Sequence, residues 1–594
     1  MKKISLIFYM NRIVGIVSIW FLLFLIAFAL SCGGIGIEKR LPSQQGAIEK
    51  AEMKDEKDSI QGAYENYTSA SLAIINGNYQ DAEIYLKEAL KHDKDSPYLL
   101  LKLSQVLVKN GRIEDALVLA QRLVDLAPGD LAARRLLAEI YSKLQEFDLA
   151  IAQCREILAQ APDNKEVRLQ LSTLFIRLKK YNAALEELSI LTEKEPDLMI
   201  AHYYKGKINL ELKEYDEAER AFLRVLEINA RFLPALFDLA ALYTTIGNPD
   251  LAIETYQQIL QLYPTDTSAW ERLIALYYQK GQVKLAERYM DEMKQALGPE
   301  DVKRKRLGLI YLRYGKLDES IAELSSIVSV WPDDQEARYY LGAALEENED
   351  LAEAYRNFDL INPEGNYFIN ARIHMAYILE KQDKTDKAID LLRETINQTS
   401  DNPPQLYLVL ASLYEIKEEY QGAMDVLQEG IRYNEENTDL LYRLGIILGK
   451  SKRTEESIKQ MEIVIKIDPR HADALNYIGY TYADENIHLD RALELIEKAV
   501  QYKPNSGYII DSLGWVYFRK GLYDKALTEL KKAIELTPND PAIAEHLGDV
   551  YLKKGDYKEA LKAYEKAISL KNAPKERLER KLKDVMEHLE GYAP

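Results

Sequence analysis

Cysteine is nearly absent from this sequence of 594 residues, which contains only Cys32 and Cys154. Two cysteines so far apart provide neither a disulfide framework nor the paired thiolates of a structural zinc site. The seven histidines are scattered, and no two are spaced four residues apart, where one helix face would hold both on a metal. We therefore expect no metal site.

Catalytic motifs are also missing from the sequence. It contains no glycine-rich phosphate loop, no nucleophile elbow and no HExxH motif. Positive charge is in deficit, because 77 Lys and Arg residues face 95 Asp and Glu residues, a net charge of −18. Such a chain repels a polyphosphate backbone unless a local basic stripe offsets the charge, and we identify none. We expect a protein that is not an enzyme, holds no cofactor and binds no nucleic acid.

The N-terminus has the layout of an export signal. Basic residues precede an apolar run from Ile13 to Leu30, and small residues follow it. Met10 is an alternative start that leaves a short basic segment before the apolar run. The stretch Ala29–Cys32 resembles the lipobox of bacterial lipoproteins, although the leucine and the small residue stand in reversed order. The resemblance implies cleavage before Cys32, lipidation of that cysteine and residence at the outer membrane, facing the periplasm.

Two alternatives remain for residues 1–32. Eighteen apolar residues are long enough to cross about 30 Å of hydrocarbon, so the segment could stay as an inner-membrane anchor. Plain secretion after cleavage is the other. In either anchored form, residues 33–62 are polar enough to serve as a flexible tether between the membrane and the remaining chain.

Alanine recurs every 34 residues over the first half of the chain, at Ala82, at Ala116 and onwards. The series continues with alanine or serine, slips by one residue twice, and marks about 15 units. A fixed period of this length indicates a repeat architecture. The anchor positions are Ala82, Ala116, Ala150, Ala184, Ala218, Ala252, Ala286, Ser320, Ala354, Ala388, Ala423, Ser457, Ala492, Ala526 and Ala560.

Other positions of the unit are restricted as well. Glycine or another small residue often precedes the anchor by twelve positions, which indicates close helix packing, and tyrosine or phenylalanine often precedes it by nine. Proline often follows the anchor by twelve positions and should end the second helix of the unit. These prolines are Pro128, Pro162, Pro196, Pro264, Pro332, Pro469, Pro504 and Pro538.

The period and these positions resemble the tetratricopeptide repeat, a helix–turn–helix unit of the same length as the alanine spacing. The resemblance implies an all-α, right-handed superhelical solenoid whose concave side is lined by the first helix of each unit. We predict about ten repeats over residues 63–400 and about five over 401–572, divided at irregular turns. Residues 573–594 should form a capping helix, because Pro574 precedes an amphipathic stretch from Lys575 to Glu590.

The concave positions of the last three units favour a protein-binding site. They place aromatic side chains among acidic and basic ones, the composition of an interface hot spot. The alternative is that the aromatic side chains only pack between helices. The predicted partner-binding residues are Asn476, Tyr480, Asp511, Trp515, Arg519, His546 and Asp549.

The same stretch resembles the C-terminal repeats of bacterial envelope lipoproteins built from tetratricopeptide repeats. We therefore predict a scaffold of the cell envelope that binds proteins or extended peptides, within a secretion, pilus or exopolysaccharide-export assembly. One alternative is a periplasmic glycan-binding or glycan-processing protein that uses Asp511, His546 and Asp549. Another is an adaptor on the cytoplasmic side, held by an uncleaved N-terminal helix.

Overall fold

The computed structural model describes residues 44–590, and within this range the chain forms 31 α-helices and no β-strand. Thirty helices form 15 consecutive pairs, α1 with α2 through α29 with α30, and α31 follows alone. The predicted all-α array of helix pairs is confirmed.

The helices of the first eight pairs are α1 Gln44–Ile75, α2 Tyr79–His92, α3 Pro97–Lys109, α4 Ile113–Leu126, α5 Leu131–Lys143, α6 Phe147–Gln160, α7 Lys165–Arg177, α8 Tyr181–Lys194, α9 Met199–Glu211, α10 Tyr215–Ile228, α11 Leu233–Thr245, α12 Pro249–Leu262, α13 Thr267–Gln279, α14 Val283–Ala296, α15 Arg304–Arg313 and α16 Leu317–Val330.

The remaining helices are α17 Gln335–Glu347, α18 Leu351–Asp359, α19 Phe368–Lys381, α20 Thr385–Gln398, α21 Pro404–Ile416, α22 Tyr420–Tyr433, α23 Thr438–Lys450, α24 Thr454–Ile467, α25 Ala472–Asp484, α26 Leu489–Tyr502, α27 Gly507–Arg519, α28 Tyr523–Leu536, α29 Pro541–Lys554, α30 Tyr557–Ser569 and α31 Lys575–Glu590.

The chain forms two compact units. One extends to Tyr256 and the other begins at Gln257, so the division lies within α12. The sequence instead suggested a division near residue 400, on the basis of irregular turns. Those turns shorten α18 to nine residues and place Asn402 at a positive φ of 46°, but they do not separate compact bodies. A turn changes the local path of the chain, whereas compactness depends on packing between neighbouring helices.

The recurring prolines end the second helices, as predicted. α4 ends at Leu126, two residues before Pro128, and α24 ends at Ile467, two residues before Pro469. Proline lacks an amide hydrogen and disfavours helical geometry in the residue that precedes it. Several first helices then begin at a capping side chain. The Asp130 carboxylate, for example, accepts hydrogen bonds from the first free amides of α5.

The anchor positions are completely buried, and the small residues allow close approach. A Cβ atom added to Gly206 would lie 2.5 Å from the Phe222 ring on the partner helix, so only glycine fits there. Cys154, four residues after the anchor Ala150, is fully buried in the core. Burial raises the pKa of its thiol to about 11, which keeps it protonated and unreactive near neutral pH.

The predicted capping helix is confirmed as α31, with the predicted bounds Lys575–Glu590. Leu578 and Val585 are fully buried against α30, while the opposite side of the helix is charged and exposed. This helix covers the apolar side of the last pair, which has no following repeat to bury it.

The N-terminal tether differs from the prediction. α1 begins at Gln44, so the second part of the 33–62 segment is helical. Between Gly46 and Gly62 the segment has no proline or glycine and is rich in alanine, glutamate and lysine, all of which favour a helix. Cys32 and the export-signal segment 1–32 lie outside the described residues. Over residues 44–590 no helix combines the length and apolarity that a membrane span requires.

Candidate functional site

The first helices of successive pairs carry the positions for which a binding role was predicted. We name the side formed by these odd-numbered helices within each compact unit, from α1 to α11 and from α13 to α29, the first-helix face. Two of its regions differ sharply: one at the C-terminal end of the second compact unit, and one at the N-terminal end of the first.

The C-terminal region contains a buried ion pair between two first helices. Nδ1 of His546 in α29 lies 2.9 and 3.0 Å from the two carboxylate oxygens of Asp511 in α27. Only 7% of Asp511 and 9% of His546 are exposed. Burial lowers the histidine pKa, but the charge and hydrogen bond of Asp511, helped by Asp549 and Glu545, outweigh it and raise the pKa above its usual value.

Trp515 packs against this pair. Its ring stacks on His546 with 4.2 Å between centroids and on Phe518 with 5.0 Å. Arg519 lies over the indole at 5.7 Å and donates a hydrogen bond of 3.0 Å to the carbonyl oxygen of Asp484. We name Asp511, Trp515, Phe518, Arg519 and His546 the terminal cluster.

The prediction that the terminal cluster exposes its aromatic side chains is wrong for Trp515, which is only 7% exposed. The neighbouring first helices and Phe518 cover the indole, as in the alternative of packing between helices. Its Nε1 has no hydrogen-bond partner among the described residues. A partner-binding role for the seven predicted residues stays a prediction, but a partner could contact Trp515 only after the cluster opens.

The capping helix binds the last acidic side chains of this region. Lys581 of α31 lies 2.8 Å from Glu545 and 2.6 Å from Asp549, and Arg577 donates to Glu545. Asp549 also accepts a hydrogen bond of 2.6 Å from Tyr564. Burial alone would raise the pKa of Glu545, but the two cations lower it below its usual value. The predicted residue Asp549 is therefore already paired within the chain.

Asn476 and Tyr480 of α25 complete the predicted set, and both are half-buried. Burial raises the pKa of Tyr480 to about 12, with Asp484 and Asp511 adding to the effect. The oxygen Oδ1 of Asn476 is buried without a partner among the described residues. α25 contacts α27, and α27 contacts α29, so the structure brings the seven predicted residues together on adjacent helices.

The burial of Asp511 and His546 also concerns the alternative in which these residues process a glycan by acid–base catalysis. Asp511 and His546 are close enough to share a proton, which a hydrolytic mechanism would need. Both side chains are buried under the Trp515 indole and against neighbouring helices, and a catalytic pair must contact its substrate. Within the described residues, no group of three or more His, Cys, Asp or Glu side chains is arranged to hold a metal ion.

The N-terminal region of the first-helix face is open. A pocket of about 330 Å³ lies between α1, α3 and α5. Ile74, Val106, Val108 and Leu136 form an apolar floor, and Gln105 lies exposed at its wall. The lining is completed by Tyr79, by two lysines, Lys102 and Lys109, and by one carboxylate, Glu139.

A second pocket of about 580 Å³ adjoins the first, because Glu139 lines both. It lies between α5 and α7 and is more polar, with Lys143 and Arg177 among its residues. We name the two pockets together the N-terminal groove. Its lining contains four cations and one carboxylate, although the whole chain carries a charge of −18.

This groove was missed from the sequence, and the expectation that the chain has no basic stripe is wrong. The signal was present, because Lys109, Lys143 and Arg177 stand at one register position in three consecutive units. Total charge hides such a local series. Residues that share a register position in a repeat lie on the same face of the array.

Two further pockets, of about 440 and 780 Å³, lie beside α24 and share Glu462 and Tyr482. They occur where the alanine series slips by one residue. The turn before α26 holds His488 at a positive φ of 47°, a conformation that is uncommon outside glycine. The inserted residue therefore lies in a turn with an unusual backbone conformation, next to these pockets.

Comparison with protein-family models matches the chain repeatedly to the tetratricopeptide repeat. The models described as "Tetratricopeptide repeat" match residues 73–140, 141–208 and 209–276, as well as 305–356, 438–471 and 541–573. A model described as "TPR repeat" matches 514–555, and one described as "PPR repeat" matches 268–296. Together the tetratricopeptide models cover more than half of the chain.

Curated relatives are similar over part of their length. The chain is 32% identical to a TPR repeat-containing protein of Pseudomonas aeruginosa over 185 residues, 31% of each chain. It is 24% identical to the TPR repeat-containing protein YpiA of Bacillus subtilis, over 44% of this chain and 62% of YpiA. The chain thus spans less than two thirds of the length of these relatives. Among solved structures, the APC/C hetero-tetramer Cut9–Hcn1 aligns over 88% of this chain and 96% of that one, at 15% identity and a TM-score of 0.35.

Proposed function

Because this chain belongs to the tetratricopeptide repeat family, we propose that it is a non-enzymatic scaffold that binds proteins or extended peptides on its first-helix face. Repeats of this kind fit a protein–protein interaction scaffold. The observation that carries the proposal is the N-terminal groove, an open cavity whose polar side chains Gln105, Lys109 and Arg177 are exposed.

The proposed location is the bacterial cell envelope, with the chain held by a lipid on Cys32. The support is the basic and apolar N-terminal sequence followed by the lipobox-like stretch Ala29–Cys32. A scaffold in this place could organise a secretion, pilus or exopolysaccharide-export assembly. Two or more acyl chains hold a protein stably at a bilayer, so the array would stay near its membrane partners.

Photocrosslinking in intact cells tests the scaffold role. A photoreactive amino acid replaces Gln105 in the N-terminal groove, and a matched variant carries it at Leu126, an exposed residue at the end of the second helix α4. We expect discrete crosslinked proteins from position 105 and none of them from position 126. The same products from both positions, or no products from any open position of the first-helix face, would contradict the proposal.

Metabolic labelling tests the location. Radioactive palmitate should enter the wild-type chain and should not enter the Cys32→Ser variant. Label in neither chain, with the unprocessed chain retained in the inner membrane, would instead favour the uncleaved anchor and the cytoplasmic-side adaptor.

A further inference from the structure

The three cations of the N-terminal groove that share a register position form a regular series. Lys109 ends α3, Lys143 ends α5 and Arg177 ends α7, each seven residues before the anchor alanine of its unit. All three side chains are exposed, and all three line the groove. We name them the basic ladder.

Three cations at the same register position of the second compact unit are paired instead. In the second compact unit, Arg313 forms an ion pair of 2.8 Å with Glu271, and Lys381 one of 3.1 Å with Glu349. Lys450 likewise pairs with Glu415. These cations are thus used to join neighbouring pairs of helices.

The ladder cations lack such partners. Among the described residues, Lys109 and Arg177 have no carboxylate within ion-pair distance, and Arg177 lies only over the Phe147 ring, at 5.9 Å. Lys143 reaches Glu139 of its own helix at 4.0 Å, the outer limit for an ion pair. The positive charge of the ladder is therefore available to a ligand with negative charge.

The spacing of the ladder defines the ligand further. Helices that pack side by side lie about 10 Å apart, so we expect cations at one position of successive first helices to recur at about that interval. An extended polypeptide advances about 3.3 Å per residue and covers this interval in about three residues. A carboxylate at every third position of an extended segment would therefore meet one cation of the ladder after another.

The first pocket adds an apolar requirement. Ile74 and Val108 are partly exposed above the buried Val106 and Leu136, and would accept one apolar side chain at the end of the groove next to Lys109. We propose that the N-terminal groove binds an extended acidic segment of another protein, with carboxylates at every third residue and an apolar anchor beyond them. This inference rests on the proposed scaffold function and names the partner chemistry of its open site.

Other polyanions fit the groove less well. A membrane surface is flat and cannot place an apolar chain in a pocket between three helices while its headgroups contact the cations of α3, α5 and α7. A nucleic acid carries regular phosphates but has no aliphatic side chain to place in the apolar pocket beside Lys109. An acidic peptide provides both the periodic carboxylates and the apolar side chain.

Fluorescence anisotropy with designed peptides tests the recognition rule on the full chain. The probe is a labelled peptide of about twelve residues with glutamate at every third position and one terminal leucine. Two controls keep its length: one has the same composition with its glutamates contiguous, and the other has glutamine in place of glutamate. We expect the spaced peptide to bind about tenfold more tightly than the contiguous one. Binding should also weaken strongly as ionic strength rises.

Charge-reversal variants locate the site. Lys109→Glu, Lys143→Glu and Arg177→Glu should each weaken binding of the spaced peptide about fivefold to tenfold, and the triple variant about a hundredfold or more. Lys553→Glu is the matched control, because Lys553 is an exposed lysine at the same register position of the last pair. It should change the affinity by less than about twofold. Lys143→Arg should retain binding, which separates the need for charge from a general effect of substitution.

Three results would overturn the inference: equal binding of the spaced and contiguous peptides, unchanged binding by the triple variant, or ladder-dependent binding to phosphatidylglycerol vesicles in place of the peptide. In cells, a partner that still crosslinks at position 105 of the triple variant would reject the acidic-segment rule and leave the scaffold function standing. Absence of any partner along the first-helix face would reject the scaffold function itself.

Discussion

The N-terminal groove and the terminal cluster contain residues from the same register positions of the repeat, but these residues are exposed in the groove and buried in the cluster. Gln105 and Trp515 both stand eleven residues before the anchor alanine of their unit. Gln105 is exposed at the wall of a pocket, whereas Trp515 is 7% exposed and stacked on His546. The repeat determines which face of the helix a residue occupies, and the size of its neighbours decides whether a partner can contact it.

The two regions also differ in whether their charged side chains have ion-pair partners within the chain. The cations of the basic ladder have no close partner on a neighbouring helix of the described chain, whereas the carboxylates of Glu545 and Asp549 are bound by Lys581 of the capping helix. One region can therefore accept a ligand directly. The other has its charges satisfied within the chain, and a ligand would have to displace those contacts.

The largest expected effect is on stability at the terminal cluster. Trp515→Ala removes a buried indole and should lower the local free energy of unfolding of α25–α30 by about 3–5 kcal/mol. Hydrogen exchange followed by mass spectrometry measures this, because repeat arrays unfold locally. Gln105→Ala is the matched control and should change protection by less than about 0.5 kcal/mol. Similar small effects for both variants would mean that the two regions are equally open.

The next effect concerns the capping helix. Lys581→Met removes a cation shared by Glu545 and Asp549, and should lower the local free energy of unfolding of α29–α31 by about 1–3 kcal/mol. Hydrogen exchange of these helices is the measurement. Lys583→Met is the control, since Lys583 lies on the exposed side of α31 and reaches only Glu587 of its own helix, at 3.9 Å. Equal protection in the two variants would contradict a fastening role for Lys581.

A pH dependence should distinguish the terminal cluster from the groove. The pKa of His546 is raised in the folded chain, so protonated His546 contributes stability below its ordinary pKa, and this contribution is lost as pH rises through the folded value. We expect protection of α27 and α29 to fall with rising pH in the wild type and much less in His546→Gln, after correction for intrinsic exchange. Parallel pH profiles for the two chains would contradict this. Helices α3 and α5 should not follow the profile.

The smallest effect is expected at the basic ladder. Lys109→Ala removes an exposed side chain without an ion-pair partner among the described residues, so the free energy of unfolding should change by less than about 0.5 kcal/mol. Lys381→Ala, at the same register position, removes an ion pair to Glu349. It should lower the free energy of unfolding slightly more than Lys109→Ala, but still by less than about 1 kcal/mol. Urea unfolding monitored by hydrogen exchange compares them. A large decrease in the free energy of unfolding for Lys109→Ala would show that the basic ladder stabilises the fold, and would contradict a role limited to ligand binding.

The sequence determined the helix pairs, their ends and the capping helix. Residues that act within one unit were readable because their physical constraint is local: an anchor alanine must fit between two helices, and a proline ends the helix before it. The small residue twelve positions before the anchor was assigned to close packing for the same reason, and Gly206, twelve residues before Ala218, packs against Phe222 as predicted.

The tertiary structure decided whether a partner can contact the terminal cluster or the N-terminal groove. The burial of Trp515 depends on His546, which belongs to the next unit of the chain and approaches only when α27 and α29 pack side by side. The availability of Lys109 depends equally on the absence of a carboxylate on neighbouring helices of the described chain. A repeat pattern fixes the direction of a side chain, but exposure and charge pairing depend on side chains of other units, and these vary from one unit to the next.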